Sequence, residues 1–194
     1  MTPGGGFSEV LDFWFGAPDS PSRGRARKAW FAKSDELDRE VRDRFLQVWE
    51  AAMRGDLDSW GRTPLAALAL IVVLDQFPRN MFRGKAAAFA SDDRALRLAM
   101  WITDNERRFD RLLRPIERAF VYLPFQHAED PIAQSCSLLM YEDLAAHGVD
   151  HREWARRHDD IIQRFGRFPH RNEILGREST PEEIEFLKQP GSRF

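Results

Sequence analysis

An all-α protein folded as one helical domain is what the sequence predicts, and three observations carry the expectation. Apolar residues recur every three or four positions along most of the chain, the period of a helix face. No segment alternates apolar and polar residues between turn signals, as a half-buried strand would. Three cap-plus-proline pairs, Thr63-Pro64, Asp130-Pro131 and Thr180-Pro181, mark helix starts: the cap oxygen takes an open backbone N–H, and proline at the first helical position has none to lose. With 194 residues, 43% of them hydrophobic, the chain can bury about 70% of its unfolded surface in a single core. The expected domain is 1–194, with residues 1–7, including Gly4 to Gly6, as a flexible leader.

In chain order, Ser8 is read as the N-cap of a short helix carrying Val10, Leu11, Phe13, Trp14 and Phe15, stopped by Gly16 and Pro18. The RGRARK run, Arg23 to Lys28, reads as solvated loop, with Trp30 and Phe31 as a docking anchor. From Ser34 to Arg54 the positions Leu37, Val41, Phe45, Val48 and Ala52 define one helix face, and Gly55 ends it. The helix opened by Thr63-Pro64 is apolar all round from Leu65 to Leu74 and is therefore central. Pro78 is expected to close it near Phe77, because the residue before a proline avoids the helical region.

Ser91, followed by Asp92 and Asp93, starts a helix with Ala95, Leu98, Ala99 and Ile102 as its stripe. Pro115 starts the next, with Ile116, Ala119, Phe120 and Leu123 inward and Pro124 at its end. Beyond Asp130-Pro131 the expected core face is Ile132, Cys136, Leu139 and Met140, before a stop at Gly148. Trp154, His158, Ile161 and Phe165 form a further stripe that Gly166 terminates. Thr180 and Glu183 make a capping box for a last helix with Ile184 and Leu187 inward.

Composition removes several classes of function. A formal charge of -2, from 29 basic and 31 acidic residues, exerts no global pull on nucleic acid or anionic membrane. Cys136 is the single cysteine, which excludes an internal disulfide and a multi-cysteine zinc site and points to a reducing, cytoplasmic setting. The first residues lack the cationic start and apolar run of a secretory signal. The longest apolar run, Leu65 to Leu74, is half the roughly 20 residues needed to cross a bilayer. Gly-x-Ser-x-Gly, phosphate-loop and dinucleotide-binding motifs are absent.

What remains is concentrated in three stretches. Leu74 to Gly84 reads LDQFPRNMFRG and Ile161 to Arg177 reads IIQRFGRFPHRNEILGR, so Phe-Pro followed by Arg-Asn occurs twice, each time after a strongly helical segment. Between them lies the histidine turn YLPFQHAED, Tyr122 to Asp130. Asp75 follows an apolar run near a helix C-terminus, where the macrodipole disfavours a carboxylate, so it must have a compensating partner. In the structural reading that partner is Arg79, Arg83, Arg167 or Arg171, and in the functional one Asp75 is an acid/base or ligand-orienting carboxylate. His158, on an apolar face, reads first as a satisfied core histidine.

These stretches, with LDFWFG near the start, resemble the bacterial family catalogued as domain of unknown function 924. The matching pieces are LDFWFG, LDQFPRNMFRG, YLPFQHAED and FGRFPHRNEILGRESTPEE, and they run from about Val10 to Leu187. Ala128 stands where the family more usually has serine, which removes a hydroxyl from that turn. The resemblance implies a tetratricopeptide-like array of antiparallel helix pairs. It carries no activity, substrate or catalytic residue.

Three functions fit these residues. The first is a binding module for an anionic small molecule or a peptide carboxylate, with Arg79, Asn80, Arg83, Arg167, Arg171 and Asn172 as donors, since guanidinium grips carboxylate or phosphate bidentately. The second is a hydrolase or lyase that moves protons with His127, His158 or His170 and Asp75 or Glu129. The third is a structural interaction scaffold. No cofactor is expected, and His-Glu-x-x-His and Glu-x-x-His are absent, which leaves only a metal assembled by tertiary proximity among the same His, Asp and Glu side chains. Neither a membrane nor a nucleic acid is expected as partner.

Overall fold

The computed structural model describes residues 6–21, 23–30 and 32–193, and among them the regular structure is entirely helical. Helix α1 spans Phe7–Phe15, α2 Asp35–Arg54, α3 Pro64–Ile71, α4 Phe77–Met81, α5 Asp92–Thr103, α6 Pro115–His127, α7 Pro131–Ala145, α8 Arg152–Phe165 and α9 Pro181–Leu187. Of the predicted caps, Asp130 and Thr180 accept the N–H of Ala133 and Glu183 through their side chains, whereas Thr63 makes no side-chain cap bond; Ser34, before α2, accepts the N–H of Leu37. Gly55 and Gly166 end their helices in the left-handed region, at φ of 91° and 68°. Most of the expected leader lies outside the described residues. Gly6 rather than Ser8 precedes α1, and Phe7 is already helical, with its ring edge-on to Trp60 at 6.1 Å.

Two helices are buried on all sides and the rest pack around them. One is α3, as expected; the other is α6, buried from Ile116 to Gln126. Trp14, Phe15, Trp30, Phe45, Phe77 and Phe120 form an aromatic cluster with mostly edge-on contacts. The RGRARK run is not solvated throughout. Arg23 donates to the carbonyl of Gly16 at 2.7 Å, and Arg27 donates to those of Phe13 and Trp14 at 2.8 and 2.7 Å, so both close the open C-terminus of α1. Trp30 is buried and adds its indole N–H to the Trp14 carbonyl, whereas Phe31 lies outside the described residues.

Two prolines expected to stop a helix, Pro78 and Pro124, do not, whereas α1 ends at Phe15 ahead of Gly16 and Pro18 as expected. Ahead of Pro78 the chain widens into a π-helical turn, Val72–Gln76, in which Phe77 N–H reaches back to the Val72 carbonyl, and the helix resumes as α4. A proline leaves the carbonyl four residues back without a donor and crowds it. Here that carbonyl belongs to Leu74, and the Ser91 hydroxyl donates to it at 2.5 Å. The widened turn and the borrowed hydroxyl together let Pro78 sit inside the helix. Pro124 is carried within α6 because burial on every side outweighs a cost of about 3 kcal/mol. Gln134 then ties down the helix end, donating to the carbonyls of Gln126 and Ala128 at 2.8 Å each.

Helix α7 turns inward a face rotated from the one expected, since Cys136 and Met140 pack half-buried against the core but Ile132 and Leu139 do not. Ile132 and Leu139 are 72% and 74% exposed, and Ala133, Gln134, Ser137, Tyr141 and Leu144 are buried. The small side chains of Ala133 and Ser137 let α7 lie close on α6, where Tyr141 donates to the Ala119 carbonyl at 3.0 Å. Helix α9 likewise exposes Ile184 and buries Glu183. Among the described residues no helix is long and apolar enough to cross a membrane.

Candidate functional site

The π-helical turn places Asp75 where neither a regular helix nor its sequence neighbours would. It is fully buried and faces the end of α6. Gln76 donates to Oδ2 at 2.6 Å, His127 Nδ1–H donates to Oδ1 at 2.8 Å, and Arg79 lies 3.4 Å from Oδ1. Burial pushes the carboxyl up, but Arg79 and His127 outweigh it and hold Asp75 below the usual carboxylate range. An ionised Asp75 accepts only, so it fixes the proton of neutral His127 on Nδ1 and leaves the lone pair on Nε2. π-turns of this kind often occur at functional sites.

Around this pair sits a second layer of charge. Arg79 binds both oxygens of Asp92, at 2.8 and 3.0 Å, and also donates to the Asp75 carbonyl at 2.6 Å. Arg171, from the second Phe-Pro stretch, reaches the same Asp92 at 3.4 Å and the His127 carbonyl at 3.0 Å. Its guanidinium lies 4.7 Å from the Phe89 ring centre and 4.5 Å from that of Phe168. It is buried, and its Nε has no hydrogen-bond partner. Burial first, and then the neighbouring Arg79, lower its pKa to about 10, with Asp92 and Glu129 opposing.

Two more histidines border the pair. His158 lies 6.2 Å from His127 between ring centres, and its Nδ1 is 2.8 Å from the Trp154 carbonyl, an acceptor that assigns the proton to that nitrogen. Its pKa falls to about 3 through burial and the proximity of His127, and that of His170 to about 4 through burial and Arg171. His127 is lowered by burial and Arg79 against the pull of Asp75. All three rings are therefore neutral in the folded protein near pH 7.

A pH dependence follows. An unfolded histidine takes up a proton below about pH 6.5, and these folded ones do not until lower pH, so the unfolded state binds more protons and stability decreases as the pH is lowered. The limiting slope is about 1.4 kcal/mol per pH unit for each histidine. Asp75 acts in the same direction but only below about pH 4, where its unfolded form protonates. Urea unfolding followed between pH 7 and 5 is expected to show a steadily falling midpoint; a flat profile would mean that the rings titrate alike in the folded and unfolded chain.

The remaining predicted donors do not join this cluster. Glu129 accepts the Phe168 N–H at 2.7 Å and both terminal nitrogens of Arg177, at 2.6 and 2.9 Å. Burial raises it, and Arg177 leads the groups that lower it below its ordinary value. Arg167 binds both oxygens of Glu183 at 2.7 and 2.9 Å, and buried Asn172 bridges Glu183 and Arg177. Asn80 and Arg83 turn the other way, to Asp38 on α2, at 2.8 Å for Asn80 and 2.7 and 2.8 Å for Arg83. The six predicted donors thus divide among three places, and only Arg79 and Arg171 face Asp75 and His127.

Sequence reasoning singled out neither Asp92 nor Phe89 as part of a site. Asp92 carried a signal, since it opens α5 amid an excess of arginines; Phe89 carried none. Among the described residues no group of three His, Cys, Asp or Glu side chains is placed to hold a metal ion.

Comparison with known proteins agrees with this geometry in fold and stops there in function. The solved structure titled protein of unknown function ATU0120, from Agrobacterium tumefaciens, superposes with a TM-score of 0.82 at 40% identity, over 94% of this chain and 96% of that one. No curated protein matches. The profile of the family described as bacterial protein of unknown function (DUF924) matches residues 10–191. That span holds the π-helical turn, the histidine turn and both Phe-Pro stretches, and the chain belongs to this family.

Proposed function

We propose that the corner formed by Arg79, His127 and Arg171 binds an anionic small molecule or the carboxylate of a peptide. The observation that carries this reading is Arg171. Its planar cation is stacked between two rings, its Nε is unpartnered, and the one carboxylate it reaches, Asp92, is already held by both arms of Arg79. A buried guanidinium with so small a share of a counter-charge gains from a further anion, because low dielectric strengthens the pairing. Arg79 and His127 keep 20% and 14% of their side-chain surface, so the corner reaches solvent.

The test is thermal unfolding of the full chain with inorganic phosphate, succinate and a peptide with a free C-terminus. A ligand at about a hundred times its Kd stabilises by about 2.7 kcal/mol. At least one probe is expected to raise the unfolding temperature of the parent and not that of Arg171→Gln, with the variant's circular dichroism unchanged. Silence from every probe, or an Arg171→Gln protein that no longer folds, would assign Arg171 to structure alone.

A second reading, proton transfer by His127 in a hydrolase or lyase, is favoured by the 2.8 Å contact with Asp75. Asp75 orients the ring, and Nε2 acts as base on an anion held by Arg171. His158 and Glu129 are poor candidates for the base, the one for its low pKa and the other for its bidentate arginine. In this reading His127→Gln retains anion binding and loses turnover in a screen of carboxylate-bearing esters.

A further inference from the structure

A cleft of about 580 Å³ opens on another part of the surface, between the short turn Asp58–Arg62 and α5, with α3 beneath it. Its lining includes half-buried Leu98, with Leu70 and Leu74 buried beneath, and the charged and aromatic side chains of Arg62, Arg94, Arg97 and Trp101. The volume falls within the roughly 300–1,000 Å³ of small-molecule sites. The turn is held against α5 by Gly61, which is buried and whose added Cβ would stand 3.3 Å from Leu98 Cδ1. Asp58 is the acidic residue of the lining, and it is engaged by Arg94, which also donates to the Met53 carbonyl at 3.2 Å. Among the described residues Arg62 and Arg97 have no side-chain hydrogen bond or ion pair.

We infer that this cleft is a ligand site for an amphipathic anion, a flat apolar body bearing one carboxylate or phosphate. The leucines offer no hydrogen-bonding group, so a polar ligand would be desolvated there without compensation. A neutral apolar ligand would leave both free guanidiniums unused, and a bare inorganic anion would leave the leucines uncovered. A molecule with one end of each kind satisfies both parts, with the guanidinium fork taking the head group. Trp101, 40% exposed, is the aromatic side chain on the rim and offers a flat body the ring surface not covered by the Arg107 guanidinium, which lies 4.1 Å from the ring centre. This site shares no residue with the Arg171 corner and stands whether or not that corner binds anything.

The experiment is calorimetric titration of the full chain with phenyl phosphate, inorganic phosphate and benzyl alcohol. Phenyl phosphate is expected to bind submillimolar and the other two at least about tenfold more weakly. The double variant Arg62→Ser/Arg97→Ser, at exposed positions that leave folding intact, should weaken phenyl phosphate by about tenfold or more. Arg39→Ser/Arg156→Ser, which removes the same charge from α2 and α8, should not. Three results overturn the inference: no phenyl phosphate binding, inorganic phosphate binding equally well and weakened equally by Arg62→Ser/Arg97→Ser, or the two double variants behaving alike.

Discussion

Asp75→Asn is expected to destabilise the protein by about 3–5 kcal/mol, the range for breaking one partner out of a buried ion pair. The change keeps the shape of the side chain, removes its charge and turns one acceptor oxygen into an amide donor that faces the donor of Gln76 or His127. Arg79, 3.4 Å away, is then left with Asp92 alone, which Arg171 also contacts. The bond from His127 Nδ1–H loses its charged acceptor as well. Because Asp75 raises the His127 pKa against burial and Arg79, the variant should also move that pKa further down. Urea unfolding measures the first effect and the histidine NMR titration the second. A loss below about 1 kcal/mol would place Asp75 among the ordinary exposed pairs, whose worth is of that order, and would remove the basis for its role in orienting His127.

Glu183→Ala comes next, with an expected loss of about 2–4 kcal/mol from several charge-assisted hydrogen bonds removed together. Glu183 is buried and accepts from Arg167 twice, from Asn172, and from the Thr180 N–H at 2.7 Å. Its pKa is held at about 2, chiefly by Arg167. It therefore joins the start of α9 to the loop after α8, and that loop carries Arg171. Hydrogen exchange should report faster opening across 167–187, and the anion response assigned to Arg171 should weaken too. Unchanged exchange there would mean that Phe165 and Phe186, packed at 5.0 Å, hold the segment unaided.

Local chemistry made much of the fold legible. Ser34, Asp130 and Thr180 cap their helices because the atoms concerned lie within three residues of one another, and such short-range geometry depends little on what the rest of the chain does. The stripe Val41, Phe45, Val48, Ala52 is buried as its spacing requires. Pro78 and Pro124 misled for a definite reason. A proline withholds one hydrogen bond, and whether the helix breaks depends on whether another group satisfies the stranded carbonyl. For Pro78 that group is Ser91, on the far side of a turn.

The expected core face of α7 is Ile132, Cys136, Leu139 and Met140, but Ala133, Ser137, Tyr141 and Leu144 describe a second stripe at the same helical spacing. Side-chain size favours the first. Close approach to α6 and the Tyr141 hydrogen bond favour the second, and they prevail.

At the candidate site the sequence by itself determined which residue types are concentrated, and it required a partner for Asp75. Only the tertiary structure decided the pairings. Arg79 and Arg171 turn toward Asp92, Arg83 and Asn80 toward Asp38, Arg167 toward Glu183 and Arg177 toward Glu129. Nothing along the chain marks which carboxylate each of these five arginines and one asparagine will take. What distinguishes them is which carboxylate is brought within about 3 Å once the helices pack, since hydrogen bonds and desolvated charge act only over that distance.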